Sequence, residues 1–331
     1  VDAACTTLVA LYADGGYLVP AQPSRGHALA VDACRRGARG ACLFAADDLA
    51  TGLGVVADTG AARAGYAALC DADVPTACFR LADLLDDDDR PADAARLFAR
   101  ACDDGLPAAC TALGFAHYTA RGAAWEVDRA RALYQRGCEL GDPWGCANLG
   151  ELELLGVGAA PDAAAARAHF TAACTDEVAP GCAQLAALDE AAGADRAAVR
   201  ERYLRACDGG DALGCAGAAR ATDDAATRAR LAQRAYDLAR ASADDNPYAA
   251  FVLGGFSADG VGTVRDPQVA GRWFDRACAG RDPSGCLAAG DAHTAAGRGD
   301  HAVAAYDRAC AAGVERACTL AASVRRRLPL G

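Results

Sequence analysis

The chain contains no lysine, no isoleucine and no methionine, and asparagine occurs only at Asn148 and Asn246. Arginine therefore supplies all 33 positive charges, a usage that fits GC-rich coding and says little about function. Without lysine, a Ser-x-x-Lys nucleophile is impossible. A chain that begins at Val1 and holds no methionine predicts that something upstream has been removed, a signal peptide being the natural candidate. Histidine is scarce, with five residues, and neither a His-Glu-x-x-His helix, a Gly-x-Ser-x-Gly elbow nor a Cys-x-x-Cys-His haem site is present. No metal, cofactor or enzymatic activity is expected. No uncharged apolar run approaches the roughly 20 residues that span a bilayer. A net charge of −11 argues against nucleic acid, whose binding relies on clustered cations.

What is abundant is alanine and cysteine. At 331 residues the chain exceeds the size of one compact core, so it either splits into domains or repeats a unit that contacts its neighbours. An apolar fraction of 53% rich in alanine favours helix and close helix approach, with little area buried per residue. Sixteen of the 17 cysteines resolve into eight pairs, each with its members eight residues apart: Cys34 and Cys42, Cys70 and Cys78, Cys102 and Cys110, Cys138 and Cys146, Cys174 and Cys182, Cys207 and Cys215, Cys278 and Cys286, Cys310 and Cys318. The pairs recur every 32 to 36 residues, except for one double gap after Cys215. Zinc ligands normally come two to four residues apart and in doublets, which this spacing does not match. Disulfides fit if each pair joins the end of one helix to the start of the next. They would place the protein in an oxidising compartment, secreted, periplasmic or at the cell surface. Each such closure contributes about 2–3 kcal/mol by loop entropy.

Aligning on the pairs exposes the repeat. Four residues before seven of the eight first cysteines stands an aromatic, at Tyr66, Phe98, Tyr134, Phe170, Tyr203, Phe274 and Tyr306. Four before that, Ala62, Ala94, Ala130, Ala166, Ala270 and Ala302 complete one helical stripe. After the second cysteine, Leu81, Leu113, Leu149 and Leu185 at +3 mark another helix, and Gly114, Gly150, Gly254 and Gly290 at +4 predict close helix crossing. Asp142-Pro143 and Asp282-Pro283 read as N-caps followed by proline at the first helical position. Gly52-Leu-Gly54, Gly156-Val-Gly158 and Gly260-Val-Gly262 read as turns that need positive φ. The double gap holds the same pattern with Ser242 and Ala250 in the cysteine positions, so residues 228–258 form a repeat without its staple. Cys5 reads as a second-position cysteine whose partner lies upstream, leaving it free or available for an intermolecular bond.

This pattern resembles the Sel-1-like repeat, a branch of the tetratricopeptide superfamily, and within it the bacterial secreted cysteine-rich repeat proteins. The Ala–aromatic–Cys stripe, the eight pairs and the Leu-Gly after the second cysteine carry the match across the whole chain. The resemblance implies an all-α solenoid of about nine disulfide-stapled helix pairs over 1–331, coiled with a concave face. Two units are shortened between their helices, around 86–91 and 297–301. Some cysteine-rich members are described as penicillin-binding or weakly β-lactamase-like; the missing lysine removes the usual nucleophile for that.

Carried onto this sequence, the superfamily's concave positions are Phe79, Asp83, Thr111, Phe115, Tyr118, Trp144, Glu151, Tyr248, Phe251 and Asp291. Exposed aromatics in a groove suit an extended peptide or loop, so the expected function is an extracytoplasmic protein- or peptide-binding scaffold. The alternatives are a structural component that self-associates through Cys5 or its array ends, and a β-lactam-recognising protein. His117 and His293 occupy one equivalent position in two repeats and read as packing residues. The Asp86-Asp87-Asp88-Asp89 run reads as a solvated loop.

Overall fold

The computed structural model describes residues 21–327, with Thr7, Ala10 and Tyr12 ahead of them. Cys5 lies outside the described residues. The helices are α1 (Pro23–Arg35), α2 (Arg39–Thr51), α3 (Thr59–Asp71), α4 (Pro75–Asp87), α5 (Pro91–Asp103), α6 (Pro107–Thr119), α7 (Val127–Glu139), α8 (Pro143–Leu155) and α9 (Ala163–Thr175). They continue as α10 (Ala179–Ala191), α11 (Arg196–Asp208), α12 (Ala212–Arg220), α13 (Ala225–Ser242), α14 (Pro247–Asp259), α15 (Pro267–Ala279), α16 (Pro283–Ala295), α17 (Gly299–Ala311) and α18 (Glu315–Arg325). They form nine consecutive pairs, and no strand occurs among the described residues. Among the described residues, no helix is long and apolar enough to cross a membrane.

Local chemistry explains where each helix begins and ends. The Asp142 carboxylate accepts from the Gly145 amide and Asp282 from that of Gly285, each followed by proline in the first turn. The three Gly-x-Gly turns all take positive φ at both glycines. Around 86–91 and 297–301 the loop is cut back, so α5 and α17 start four residues after their predecessors end. All eight predicted cysteine pairs are disulfides, each joining the last turn of one helix to the first turn of the next. In the unstapled repeat Ala250 is fully buried where the others carry sulfur, and both helices form without the bond.

The alanine–aromatic stripe is the packing edge. Ala62, Ala130, Ala166 and Ala302 are fully buried, as are nearly all of Tyr66, Tyr134, Phe170, Tyr203 and Tyr306. The glycines at +4 let the following helix approach. A Cβ on Gly150 would lie 2.9 Å from the Phe170 ring, one on Gly254 2.5 Å from Phe274, and one on Gly290 2.4 Å from Tyr306. Any side chain there would push the helices apart.

The chain divides into two compact units. The first runs to Ala116 and includes Arg121–Ala124; the second comprises His117–Ala120 and everything from Trp125 onward. In the first unit the aspartate run is more engaged than a solvated loop: Asp86 accepts from Arg121 Nε at 2.8 Å, and Asp88 pairs with Arg63. The second unit departs from contacts between neighbours only. Val157 forms an isolated antiparallel bridge with Val314, and a Cβ on Gly313 would lie 2.7 Å from the Gly158 nitrogen. One apolar cluster joins Tyr134, Leu149 and Leu152 of α7 and α8 to Ala289, Ala302, Tyr306 and Ala317 of α16, α17 and α18. Arg131 donates to the Val157 carbonyl at 3.0 Å and braces the same turn. The second unit therefore curls until its first and last repeats meet.

Candidate functional site

In the first unit, the predicted concave residues divide between packing and exposure. Phe79 stacks at a tilt on Phe98, 5.4 Å between centroids, and Thr111 is buried. Phe115 is 47% exposed. Asp83 lines two clefts, of about 390 Å³ with Phe44, Leu53, Tyr66 and Arg80, and of about 200 Å³ with Phe98, Phe115 and Arg121. Burial pushes its carboxyl up to about 6, Arg80 opposes the shift, and Asp87 and Asp86 add to it.

In the second unit, closure sets side chains from widely separated repeats within electrostatic reach of one another. Glu151 of α8 sits in the interior, where burial pushes its carboxyl up to about 8 and the charges of Asp282 and Asp211 raise it further. Asp282 and Asp211 are themselves pushed up to about 6 by burial, although backbone amides at the start of their helices oppose the shift. Burial first, then the charges of Asp282 and Glu151 at Tyr118 and of Glu151, Asp211 and Asp282 at Tyr248, holds both phenols well above their ordinary range. Gln184 of α10 hydrogen-bonds Tyr248. None of the three carboxylates pairs with an arginine among the described residues. The interior is thus acidic and phenolic, and uncompensated.

The structure brings together three predicted residues, Tyr118, Glu151 and Tyr248. Phe251 packs between Tyr248 and Phe274, with centroids 6.2 and 6.1 Å away. Asp291 accepts from the Tyr306 hydroxyl at 2.6 Å, which makes it a brace between helices. Trp144 stands 52% exposed. His293 is buried against Asp275, 2.8 Å from Nε2, and His117 is buried as well. Sequence reasoning missed Asp211 and Asp282 as interior carboxylates, because each reads locally as a helix cap. Their shared signal was position: both stand four residues before a second cysteine. No group of three or more metal-ligating side chains converges among the described residues.

The geometry is that of the Sel1-like repeat fold. No protein-family model matches the sequence, and no curated protein matches it. Among solved structures, a protective antigen of uropathogenic Escherichia coli strains displaying an SLR fold superposes with a TM-score of 0.52 at 20% identity, covering 99% of this chain and 73% of its own. A Sel1 repeat protein from Oxalobacter formigenes superposes with a TM-score of 0.50 at 20% identity, covering 84% of this chain and 99% of its own. At such identity the likeness is one of fold.

Proposed function

We propose that the chain is an extracytoplasmic binding scaffold, not an enzyme, and that the interior of its second unit takes a basic, extended segment of a protein or peptide partner. The observation that carries this reading is the set of three carboxylates, Glu151, Asp211 and Asp282, uncompensated beside Tyr118 and Tyr248. Arginine or lysine side chains of a partner would supply counter-charge to Asp211 and Asp282 and draw Glu151 toward its ionised form, and the phenols would supply rigid contact area and cation–π faces. Trp144 of the same unit, about half exposed, offers an apolar anchor to the rest of such a partner. Eight disulfides support a location outside the reducing cytosol. Rigid repeats also present their binding face at low entropic cost.

The test is fluorescence anisotropy on the disulfide-intact protein with labelled extended peptides of equal length that are basic, neutral or acidic, each with one aromatic. The basic peptide is expected to bind tightest, with affinity falling as salt is raised. Combining Glu151→Gln, Asp211→Asn and Asp282→Asn, which keeps cap acceptors at both aspartates, is expected to weaken it at least about tenfold. No preference among the peptides, or a triple variant that binds the basic peptide unchanged, refutes the reading.

A further inference from the structure

A second cavity lies on the seam where the second unit closes, and it has the opposite charge. Its volume is about 430 Å³, within the range of small-ligand sites, and its lining includes Trp125, the Cys278–Cys286 disulfide, Arg281, Pro283 and Arg308. No acidic side chain lines it. In a chain of net charge −11, two arginines line this one cavity, and neither makes an ion pair among the described residues. Asp282, the acid adjacent to Arg281, turns its carboxylate to the Gly285 amide.

Trp125 adds a third donor. Its indole Nε1 is sealed from solvent and meets no acceptor. A buried N–H without an acceptor forfeits a hydrogen bond that water would have supplied, so such groups are nearly always paired in folded proteins. Arg308 in the last turn of α17 and Arg281 just past α15 also complement the dipoles of those helices. That accounts for a cation at each helix end. It does not account for the unpartnered indole donor or for the cavity that all three residues line.

We infer that the seam cavity is a binding site for an organic carboxylate with an apolar body about the size of one amino-acid residue, its oxygens taken by Arg281, Arg308 and the Trp125 indole and its body lying against the disulfide and Pro283. Guanidinium groups bind carboxylates through charge-assisted, often bidentate hydrogen bonds, and the indole supplies one more donor of fixed direction. The walls come from residues more than 150 positions apart in the chain, so the site exists only while the unit is closed. The site is independent of the acidic interior and does not rest on it. A free carboxylic acid and the C-terminal residue of a polypeptide share this chemistry.

Nitrogen-15 NMR of the intact chain tests the inference, because three tryptophans give three indole signals and Trp125→Phe assigns the relevant one. N-acetyl-leucine and a short peptide ending in leucine are titrated beside the amide form of each. Saturable displacement of the Trp125 signal by the acids and not by the amides is expected. A response to the peptide acid alone identifies a chain terminus as the natural source, and a response to both acids admits a free acid. Arg281→Gln with Arg308→Gln is expected to weaken the response at least about tenfold. Equal displacement by acid and amide, an unmoved Trp125 signal at millimolar acid, or unchanged affinity in the folded double variant overturns the proposal. Should the double variant fail to fold, the comparison of acid with amide on the wild-type chain decides alone.

Discussion

Adjacent glycines in α14 offer a sharp test of the packing. Gly254 and Gly255 occupy one helix with the same backbone conformation, so alanine at either brings the same gain in helix propensity, about 1 kcal/mol. Their surroundings differ. A Cβ at 255 meets nothing within 4 Å, whereas one at 254 would lie 2.5 and 2.6 Å from two atoms of the Phe274 ring and 3.3 Å from the Ala270 carbonyl oxygen. The carbonyl belongs to α15 and cannot yield without moving that helix; the ring is held by Phe251. Overpacking of this kind costs about 1–3 kcal/mol. Gly255→Ala should therefore stabilise the protein by about 0.5–1 kcal/mol, and Gly254→Ala should destabilise it by about 1–2 kcal/mol net of propensity. Urea unfolding followed by far-ultraviolet circular dichroism, with the disulfides intact, reads the difference as midpoints moving in opposite directions. Phe274→Leu should restore part of the loss in the Gly254→Ala background, a coupling that a double-mutant cycle measures. Midpoints that move together, or no coupling to Phe274, would refute the close crossing of α14 and α15.

Two further outcomes are expected. The interior carboxyls have folded-state values raised above their ordinary ones, Glu151 from 4.5 to about 8 and Asp211 and Asp282 from 3.8 to about 6. The native state then holds more protons than the unfolded chain through that window, so stability falls as pH rises from about 4 to about 8. Glu151→Gln should flatten the upper part of this slope and raise stability at pH 8 by about 2–4 kcal/mol; thermal melts across the range check it, and a wild-type melting point that climbs toward pH 8 contradicts it. Native-state hydrogen exchange should find residues 228–258 the most readily opened of the repeats, and reduction should bring the stapled repeats toward that level while changing 228–258 least. Equal protection throughout the oxidised chain contradicts it.

The sequence alone determined what repeats. Helix length, the capping aspartates, the disulfide partners and the alanine–aromatic stripe are all set by residues within one repeat, and local chemistry acts within one repeat. The unstapled unit was legible for the same reason: Ser242 and Ala250 fall in register even where sulfur is missing. The candidate site was only partly legible. Tyr118, Glu151 and Tyr248 could be placed on one face by analogy of position, but Phe79, Phe251 and Asp291 stand at equivalent positions and are taken up by packing. What only the tertiary structure decided is closure. Each repeat adds a small rotation to the last, and those rotations sum over many helices before Val157 meets Val314. No periodic pattern encodes that sum, because it depends on every crossing angle along the way. It is the sum that turns two helix caps, Asp211 and Asp282, into interior carboxylates, and that sets Trp125 beside Arg281 and Arg308.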